Sequence, residues 1–263
     1  MTGVPGGRRQ ALWYVLFWAA VGAGSYVLGV RLALGQLAEN SVLDAAEFTY
    51  SPPAPLNLVS IPSVAVALLI VGVVAFFVHG FQRALVVTAV PALAIVASQL
   101  LKQQLLTRPQ LFELDLTNTF PSGHMTVFAA LTGALIWAVP TRVRSFITIG
   151  GAALLSAAGW QLLAYGWHRP SDVFGGLALG ALAFSLACLI RPATPRGRAF
   201  LGRTTSVALA LIAWIAVAGA LVLAGVAMWQ SSSSLALNAG EFGGVGISVL
   251  AARSLLLLSS GRS

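Results

Sequence analysis

Charged residues are scarce in this sequence: Asp, Glu, Lys and Arg make up 8% of its 263 residues, against about a quarter in ordinary soluble domains. Hydrophobic residues make up 58%, and the mean hydropathy is +0.88. These values exclude a soluble globular domain. Because one membrane-spanning helix needs about 20 residues, the length allows about six to eight spans. We therefore expect an all-α integral membrane protein.

Acidic residues, lysine and cysteine are also rare. The 7 acidic residues are outnumbered by 15 basic ones, which gives a formal net charge of +8. The arginines fall in short segments between apolar runs, so membrane topology explains them better than nucleic-acid binding does. The one cysteine, Cys188, lies in an apolar run and excludes an intramolecular disulfide.

The apolar runs predict a core of six spans and one or two further spans after it. Residues 1–10 form a polar N-terminal segment, and residues 191–205 form a basic loop. A seventh span is expected at 206–228, before a short tail at 259–263. The run at 235–258 is a weaker candidate, because polar residues and a Gly243–Gly244 pair interrupt it. The core spans, within residues 11–190, are expected at 11–34, 58–78, 84–101, 122–139, 146–165 and 172–190.

The loop at 35–57 is the longest between core spans, and it could hold a short amphipathic helix over Gln36–Phe48. An N-terminus in the cytoplasm places most arginines on the cytoplasmic side, as the positive-inside rule requires. The 35–57 loop and the polar residues with chemical potential then lie on the extracytoplasmic side. We expect this arrangement in a bacterial plasma membrane. Trp160, Trp167 and Trp229 are assigned to the interfacial aromatic belt.

The segment Thr119–His124, with the sequence Thr-Phe-Pro-Ser-Gly-His, begins the fourth span. Pro121 and Ser122 are helix-start signals, and Gly123 allows a ligand to approach the backbone. The free N–H groups of a helix N-terminus attract anions. The segment therefore predicts a phosphate site that contains a histidine.

Two other clusters fall on the same expected side of the membrane. One is Lys102 with Arg108–Pro109, and the other is His168 with Asp172 four residues later. Lys102 is the only lysine, which sets it apart from the arginines of the cytoplasmic loops. In this combination and order, the three clusters resemble the motifs of the type-2 phosphatidic acid phosphatase superfamily, in its membrane branch. The resemblance covers about residues 102–172.

The residues suit phosphoryl transfer in their own right. Lys102, Arg108, Ser122 and the Gly123 N–H can surround the charged equatorial oxygens of a transferring phosphoryl group. Two histidines can act as nucleophile and as acid near neutral pH. The resemblance implies the individual roles: His168 attacks to give a phosphohistidine, Asp172 orients His168, and His124 protonates the leaving group. It implies no metal or other cofactor.

The sequence departs from the family pattern at two places. Five residues separate Lys102 from Arg108, where six are usual, and Gln161 and Leu162 stand where the family has Ser-Arg. A phosphate-binding arginine is therefore missing, and Arg169 or Gln161 is a candidate to replace it. The expected function is hydrolysis of a membrane lipid phosphate or pyrophosphate, such as a polyprenyl phosphate, phosphatidic acid or phosphatidylglycerol phosphate. The alternative is a non-catalytic protein that binds or transports lipid phosphates.

Overall fold

A computed structural model describes residues 5–112, 118–191 and 200–260 of the chain, and their regular structure is entirely helical. Glu113 and Asp115, which the sequence places in the loop before the fourth span, lie outside the described residues. Turns of π-helix, Tyr26–Arg31 and Leu101–Leu105, extend the first and fourth helices. The α-helices are α1 Pro5–Ser25, α2 Ala33–Asp44, α3 Ile61–His79, α4 Phe81–Leu100, α5 Gly123–Ala138, α6 Arg144–Ala164, α7 Pro170–Ile190, α8 Gly202–Gln230 and α9 Ser233–Ser260.

In the described residues, seven helical segments are long and apolar enough to cross a membrane, and α5 is a further, shorter apolar helix. The chain is therefore an all-α integral membrane protein, as its composition predicts. Helix α2 is not a candidate membrane span, since it is only 12 residues long and carries polar side chains. It begins at Ala33 and ends at Asp44, three to four residues before the bounds expected for the amphipathic helix.

The interrupted run at 235–258 forms part of α9, one of the longest helices. Most residues of α9 are buried, and it packs against α6, α7 and α8. Gly243 lies against Phe174 of α7, and Gly246 lies against Val217 of α8. The residues that interrupt the apolar pattern therefore include positions of close helix packing. Low hydropathy here reflects contact with protein rather than a break in the helix.

Helices α5 and α7 cross closely because two glycines on α7 face α5. A Cβ atom on Gly176 would lie 2.6 Å from the Ser122 carbonyl oxygen, and one on Gly180 would lie 2.6 Å from Ala129 Cβ. Small residues four positions apart let helix backbones approach each other in membranes. This contact brings the beginning of α5 against the beginning of α7.

The two ends of the helix bundle carry different side chains. At one end, called the site end below, α5, α7 and α9 begin, α6 ends, and α2 packs across the neighbouring helices. At the opposite end α1 begins and α9 ends. There the Arg144 Nη1 group donates to the Ser259 carbonyl at 2.7 Å, and His79 Nε2 lies 3.2 Å from the Val139 carbonyl.

Candidate active site

The beginning of α5 supplies the first part of the site. Ser122 is the N-cap of α5, and its hydroxyl accepts a hydrogen bond from the Met125 N–H at 3.3 Å. The Ser122 N–H donates to the Asp172 carbonyl at 2.9 Å, which joins the starts of α5 and α7. Gly123 is the first residue of α5, where backbone N–H groups have no acceptor within the helix. The local structure is thus the helix start that the sequence predicts.

His168 and Asp172 form a buried pair at the beginning of α7. Nδ1 of His168 lies 3.3 Å from Oδ2 of Asp172. The same oxygen accepts hydrogen bonds from the Thr119 hydroxyl at 2.6 Å and from the Arg169 N–H at 3.1 Å. Asp172 is fully buried, so these donors compensate for its removal from water. The arrangement directs Nδ1 of His168 toward a carboxylate and leaves Nε2 for other chemistry.

His124 faces His168 across the gap between α5 and α7. The centroids of the two imidazole rings are 6.4 Å apart. The indole of Trp167 lies edge-on to His124, with ring centroids 5.9 Å apart, and its N–H donates to the Thr49 carbonyl at 2.7 Å. Trp167 therefore forms one wall of the site in addition to lying at the end of a span.

Arg108 is buried beside the His168–Asp172 pair. One of its terminal nitrogens, Nη2, lies 3.3 Å from Glu39 Oε2 and 3.9 Å from Asp172 Oδ1. Its Nε and Nη1 atoms are buried and have no hydrogen-bond partner within the described part of the chain. Unpaired buried donors are costly. The N–H groups on these two nitrogens are therefore suited to binding an anion.

Glu39 is the part of the site that the sequence did not indicate. It projects from α2, is 5% exposed, and accepts a hydrogen bond from the Ser171 N–H at 2.9 Å. Burial, and secondarily the nearby Asp172 carboxylate, raise the pKa of Glu39 to about 7. Gln36, one turn earlier, is fully buried and donates to the Pro109 carbonyl at 2.9 Å. Helix α2 thus holds Arg108, its neighbour Pro109 and the start of α7 together.

Glu39 was not predicted as a site residue because α2 is amphipathic in the opposite sense to a soluble helix. It buries Gln36, Glu39 and Val42, while Leu34 and Leu37 are exposed. The spacing of Gln36 and Glu39, three residues apart, places both on one helix face. That polar face is the sequence feature that could have indicated Glu39, since in a membrane the apolar face of a helix points toward lipid.

Lys102 and Arg169 complete the positive charge around the histidines. Lys102 is half-buried in the π-helical turn that follows α4, close enough to interact electrostatically with His124 and Asp172. Arg169 is buried, and its Nη1 lies 3.5 Å from the Thr119 hydroxyl that donates to Asp172. All eight site residues expected from the sequence therefore belong to one region at the site end.

The two positions that depart from the family pattern have structural roles. Leu162 is fully buried in the apolar core, and its carbonyl accepts the N–H groups of Trp167 and His168. The Gln161 side-chain amide donates to the Ala54 carbonyl at 3.0 Å. Gln161 therefore anchors the segment after α2. Of the two candidates to replace the missing arginine, only Arg169 has a side chain that reaches Thr119, the residue whose hydroxyl donates to Asp172.

A family model described as the PAP2 superfamily matches residues 63–196, half of the chain. The chain belongs to the PAP2 superfamily. No curated protein and no solved structure shows significant similarity to it. The family resemblance inferred from the motifs is thereby confirmed, and membership supports a phosphatase-type function, the hydrolysis of phosphate esters.

The match to the PAP2 superfamily covers every motif residue but not the whole site. It begins within α3, so α1 and α2 precede it, and α8 and α9 follow it. Glu39 is therefore a site residue that lies outside the matched segment. Helix α9 also lies outside the match, although it packs on α6 and α7.

Proposed function

We propose that this PAP2 protein hydrolyses the phosphomonoester or pyrophosphate of a membrane lipid through a phosphohistidine intermediate. The observation that carries the proposal is the buried His168–Asp172 pair, which faces His124. Beside it lie two guanidinium nitrogens of Arg108 for which the described residues provide no hydrogen-bond partner. A nucleophile, an acid and a cation around one gap are the parts that phosphoryl transfer needs.

In the first step Nε2 of His168 attacks phosphorus, and a P–N bond forms as the bond from phosphorus to the leaving oxygen breaks. His124 gives its proton to that oxygen, which departs as a lipid alcohol or, from a pyrophosphate, as the lipid monophosphate. The His168–Asp172 contact of 3.3 Å stabilises the positive charge that develops on the imidazole. The ring centroids of the two histidines are 6.4 Å apart, and the transferring phosphoryl group would lie between their reactive nitrogens.

In the second step a water molecule attacks the phosphohistidine, and the P–N bond breaks. His124, now without its proton, accepts one from this water, so both histidines return to their starting state. Inorganic phosphate is released. Arg108, Lys102, Arg169 and the Ser122–Gly123 helix start hold the phosphoryl oxygens in both steps. This mechanism assigns no step to a metal ion.

A lipid substrate is favoured by the position of the site at the end of a membrane bundle. The outward faces of α3 and α8 expose large apolar side chains, among them Phe77 and Ile215. The headgroup would lie at the site end, for which the arginine distribution predicts an extracytoplasmic position. The hydrocarbon chain would enter between helices. The segment that contains Thr49 lies beside the site, because the Thr49 carbonyl accepts a hydrogen bond from Trp167, which forms one wall of the site.

One observation favours the alternative of a non-catalytic lipid-phosphate binder. The apolar, fully buried Leu162 replaces a phosphate-binding arginine of the family pattern. Losing one charge-assisted donor costs about 3–4 kcal/mol of transition-state stabilisation in comparable sites. Retention of His124, His168 and Asp172 in one cluster favours hydrolysis.

Phosphate release by the purified protein tests the proposal. The substrates are a polyprenyl pyrophosphate, a polyprenyl phosphate, phosphatidic acid and phosphatidylglycerol phosphate, each with and without a metal chelator. We expect release from at least one lipid, unchanged by the chelator and lost in His168→Ala. His79→Ala is the matched control, because His79 lies at the opposite end of the bundle, and it should retain parental activity.

The outcomes separate the two functions. Release from none of the lipids, with lipid-phosphate binding that survives His168→Ala, would support the binder and contradict the enzyme. Loss of activity with the chelator would contradict a mechanism without metal. Trapping of acid-labile, base-stable phosphate on the parent but not on His168→Ala would identify the covalent intermediate.

A further inference from the structure

A second polar feature lies at the opposite end of the bundle, between α1, α8 and α9. It is a groove of about 570 Å³ that is open on one side. Two arginines, Arg9 and Arg253, line it together with aromatic side chains. None of these residues belongs to the candidate active site, and all of them lie outside the segment that matches the PAP2 superfamily.

Arg253 is an ionisable residue inside a helix that is long enough to span the membrane. It lies seven residues before the end of α9, about 10 Å along the helix axis. Its Nε–H donates to the Ser206 carbonyl of α8 at 2.9 Å, which fixes the guanidinium on the groove wall. No carboxylate of the described residues lies within ion-pairing distance of it. Arginine within a span is costly and generally has a functional partner.

The described residues supply no acidic side chain at this end. Of the acidic side chains in the described residues, Glu39, Asp44, Glu47 and Asp172 are at or near the site end, and Glu241 is in the first third of α9. The segments outside the described residues at the chain ends and at 192–199 contain no Asp or Glu. The groove therefore carries an excess of positively charged side chains, which favours the binding of an anion.

The groove also changes from basic to apolar along α1. Arg9, Trp13 and Phe17 follow at intervals of four residues, so they form one stripe on the helix. Eight residues separate the charge from the last aromatic ring, about 12 Å of helix. Trp214 of α8 lies on the facing wall and is 57% exposed, and Trp13 is 63% exposed. The aromatic surfaces are thus open to a ligand from the bilayer.

We propose that this groove binds one anionic phospholipid from the surrounding membrane. Arg9 and Arg253 contact its phosphate, and the wall formed by Trp13, Phe17 and Trp214 contacts one acyl chain. The order of charge and apolar surface matches a phospholipid in a bilayer, whose phosphate lies near the helix ends and whose chains lie deeper. Tyr14, which faces Arg253 and Ser254, adds a hydroxyl at the level of the headgroup.

Native mass spectrometry of the delipidated protein tests this proposal with phosphatidylglycerol and phosphatidylcholine of the same acyl chains. Phosphatidylglycerol is a phosphodiester, so it reports on binding whether or not the protein hydrolyses phosphomonoesters. We expect one phosphatidylglycerol to bind more tightly than phosphatidylcholine. Arg9→Gln with Arg253→Gln should weaken phosphatidylglycerol binding by at least about tenfold, since each arginine near the surface contributes about 1 kcal/mol.

Two further variants separate the groove from general surface charge and from folding. Arg8→Gln with Arg203→Gln removes the same charge from exposed neighbours that do not line the groove, and it should retain parental binding. Trp214→Ala leaves both arginines and the Ser206 contact in place, and it should weaken binding of either lipid. Equal losses in the two arginine double variants, or parental binding by Arg9→Gln with Arg253→Gln or by Trp214→Ala, would overturn the proposal.

Discussion

At the scale of single residues, Glu39 couples the site to pH. Its pKa of about 7 in the folded protein lies above the ordinary value of 4.5, because the carboxyl is buried and faces Asp172. Such a group stabilises the fold fully below pH 4.5, and this contribution is lost as pH rises through about 7. The upper limit of the loss is about 3 kcal/mol.

Glu39→Gln should therefore change the pH dependence of stability. The substituted amide stays neutral, so the melting temperature of the variant in detergent should fall less than that of the parent between pH 5 and 8, roughly the titration range of Glu39. Asp44→Asn, an exposed change on the same helix, should melt in parallel with the parent. Parallel curves for parent and Glu39→Gln would show that Glu39 does not titrate in this range.

Arg169 is expected to supply part of the charge that the family arginine supplies elsewhere. Arg169→Ala should lower kcat/KM for the best lipid substrate by about 100-fold, as removal of one charge-assisted donor does in comparable sites. The control is Gln161→Ala, whose side chain bonds to the Ala54 carbonyl rather than to the site. A parental kcat/KM in Arg169→Ala would show that Arg169 does not bind the phosphoryl group.

Introducing an arginine at position 162, where the family pattern has one, should not add a phosphate-binding group to the site. Leu162 is completely buried among apolar side chains, so Leu162→Arg would bury a charge with no carboxylate assigned to it. We expect a lower melting temperature and no gain in phosphate release. A several-fold gain in release would mean that the core at Leu162 opens toward the histidines.

The motif residues of the site were predictable from the sequence, whereas the residues that hold them were not. The sequence indicates Pro121–His124, His168 and Asp172, because their chemistry needs fixed residue types at fixed spacing. Glu39 is 69 residues from Arg108 in the chain, and a lone acidic residue in a loop has no such signature. Only the packing of α2 on the site end makes it part of the cluster.

At the scale of elements, the crossing of α5 and α7 determines the distance between the two histidines. Gly176→Leu should separate the helices, because even a Cβ atom there lies 2.6 Å from the Ser122 carbonyl oxygen. We expect a loss of phosphate release of at least about tenfold and a lower melting temperature. Gly150→Leu on α6 is the control, since a Cβ at Gly150 meets no atom within 4 Å.

The helices themselves followed from hydropathy, but their surroundings did not. Helix α9 resembled a weak span, yet most of its residues are buried. Hydropathy measures how favourably a segment contacts lipid. A helix that contacts mainly other helices can therefore contain glycines and polar residues. For the same reason α2 buries Glu39 and exposes Leu34. Which face of a helix contacts protein depends on tertiary packing, and the hydropathy of a single sequence does not report tertiary packing.

At the scale of the whole molecule, the distribution of charge predicts the orientation in the membrane. Arg8, Arg9, Arg144 and Arg203 lie at the end where α1 and α8 begin, opposite the site. The positive-inside rule predicts that this end lies in the cytoplasm and that the site lies outside it. Labelling of single cysteines in intact cells tests this, in a background where the buried Cys188 is replaced by alanine.

Ser51→Cys lies in the exposed segment near the site, and Thr204→Cys lies exposed near the start of α8. A membrane-impermeant maleimide should label Ser51→Cys in intact cells and Thr204→Cys only after lysis. The reverse pattern would place the site in the cytoplasm and direct the search for substrate to the inner leaflet. Labelling of both before lysis would contradict the arrangement of these two segments at opposite ends of a membrane-spanning bundle, since a charged reagent reaches only one face.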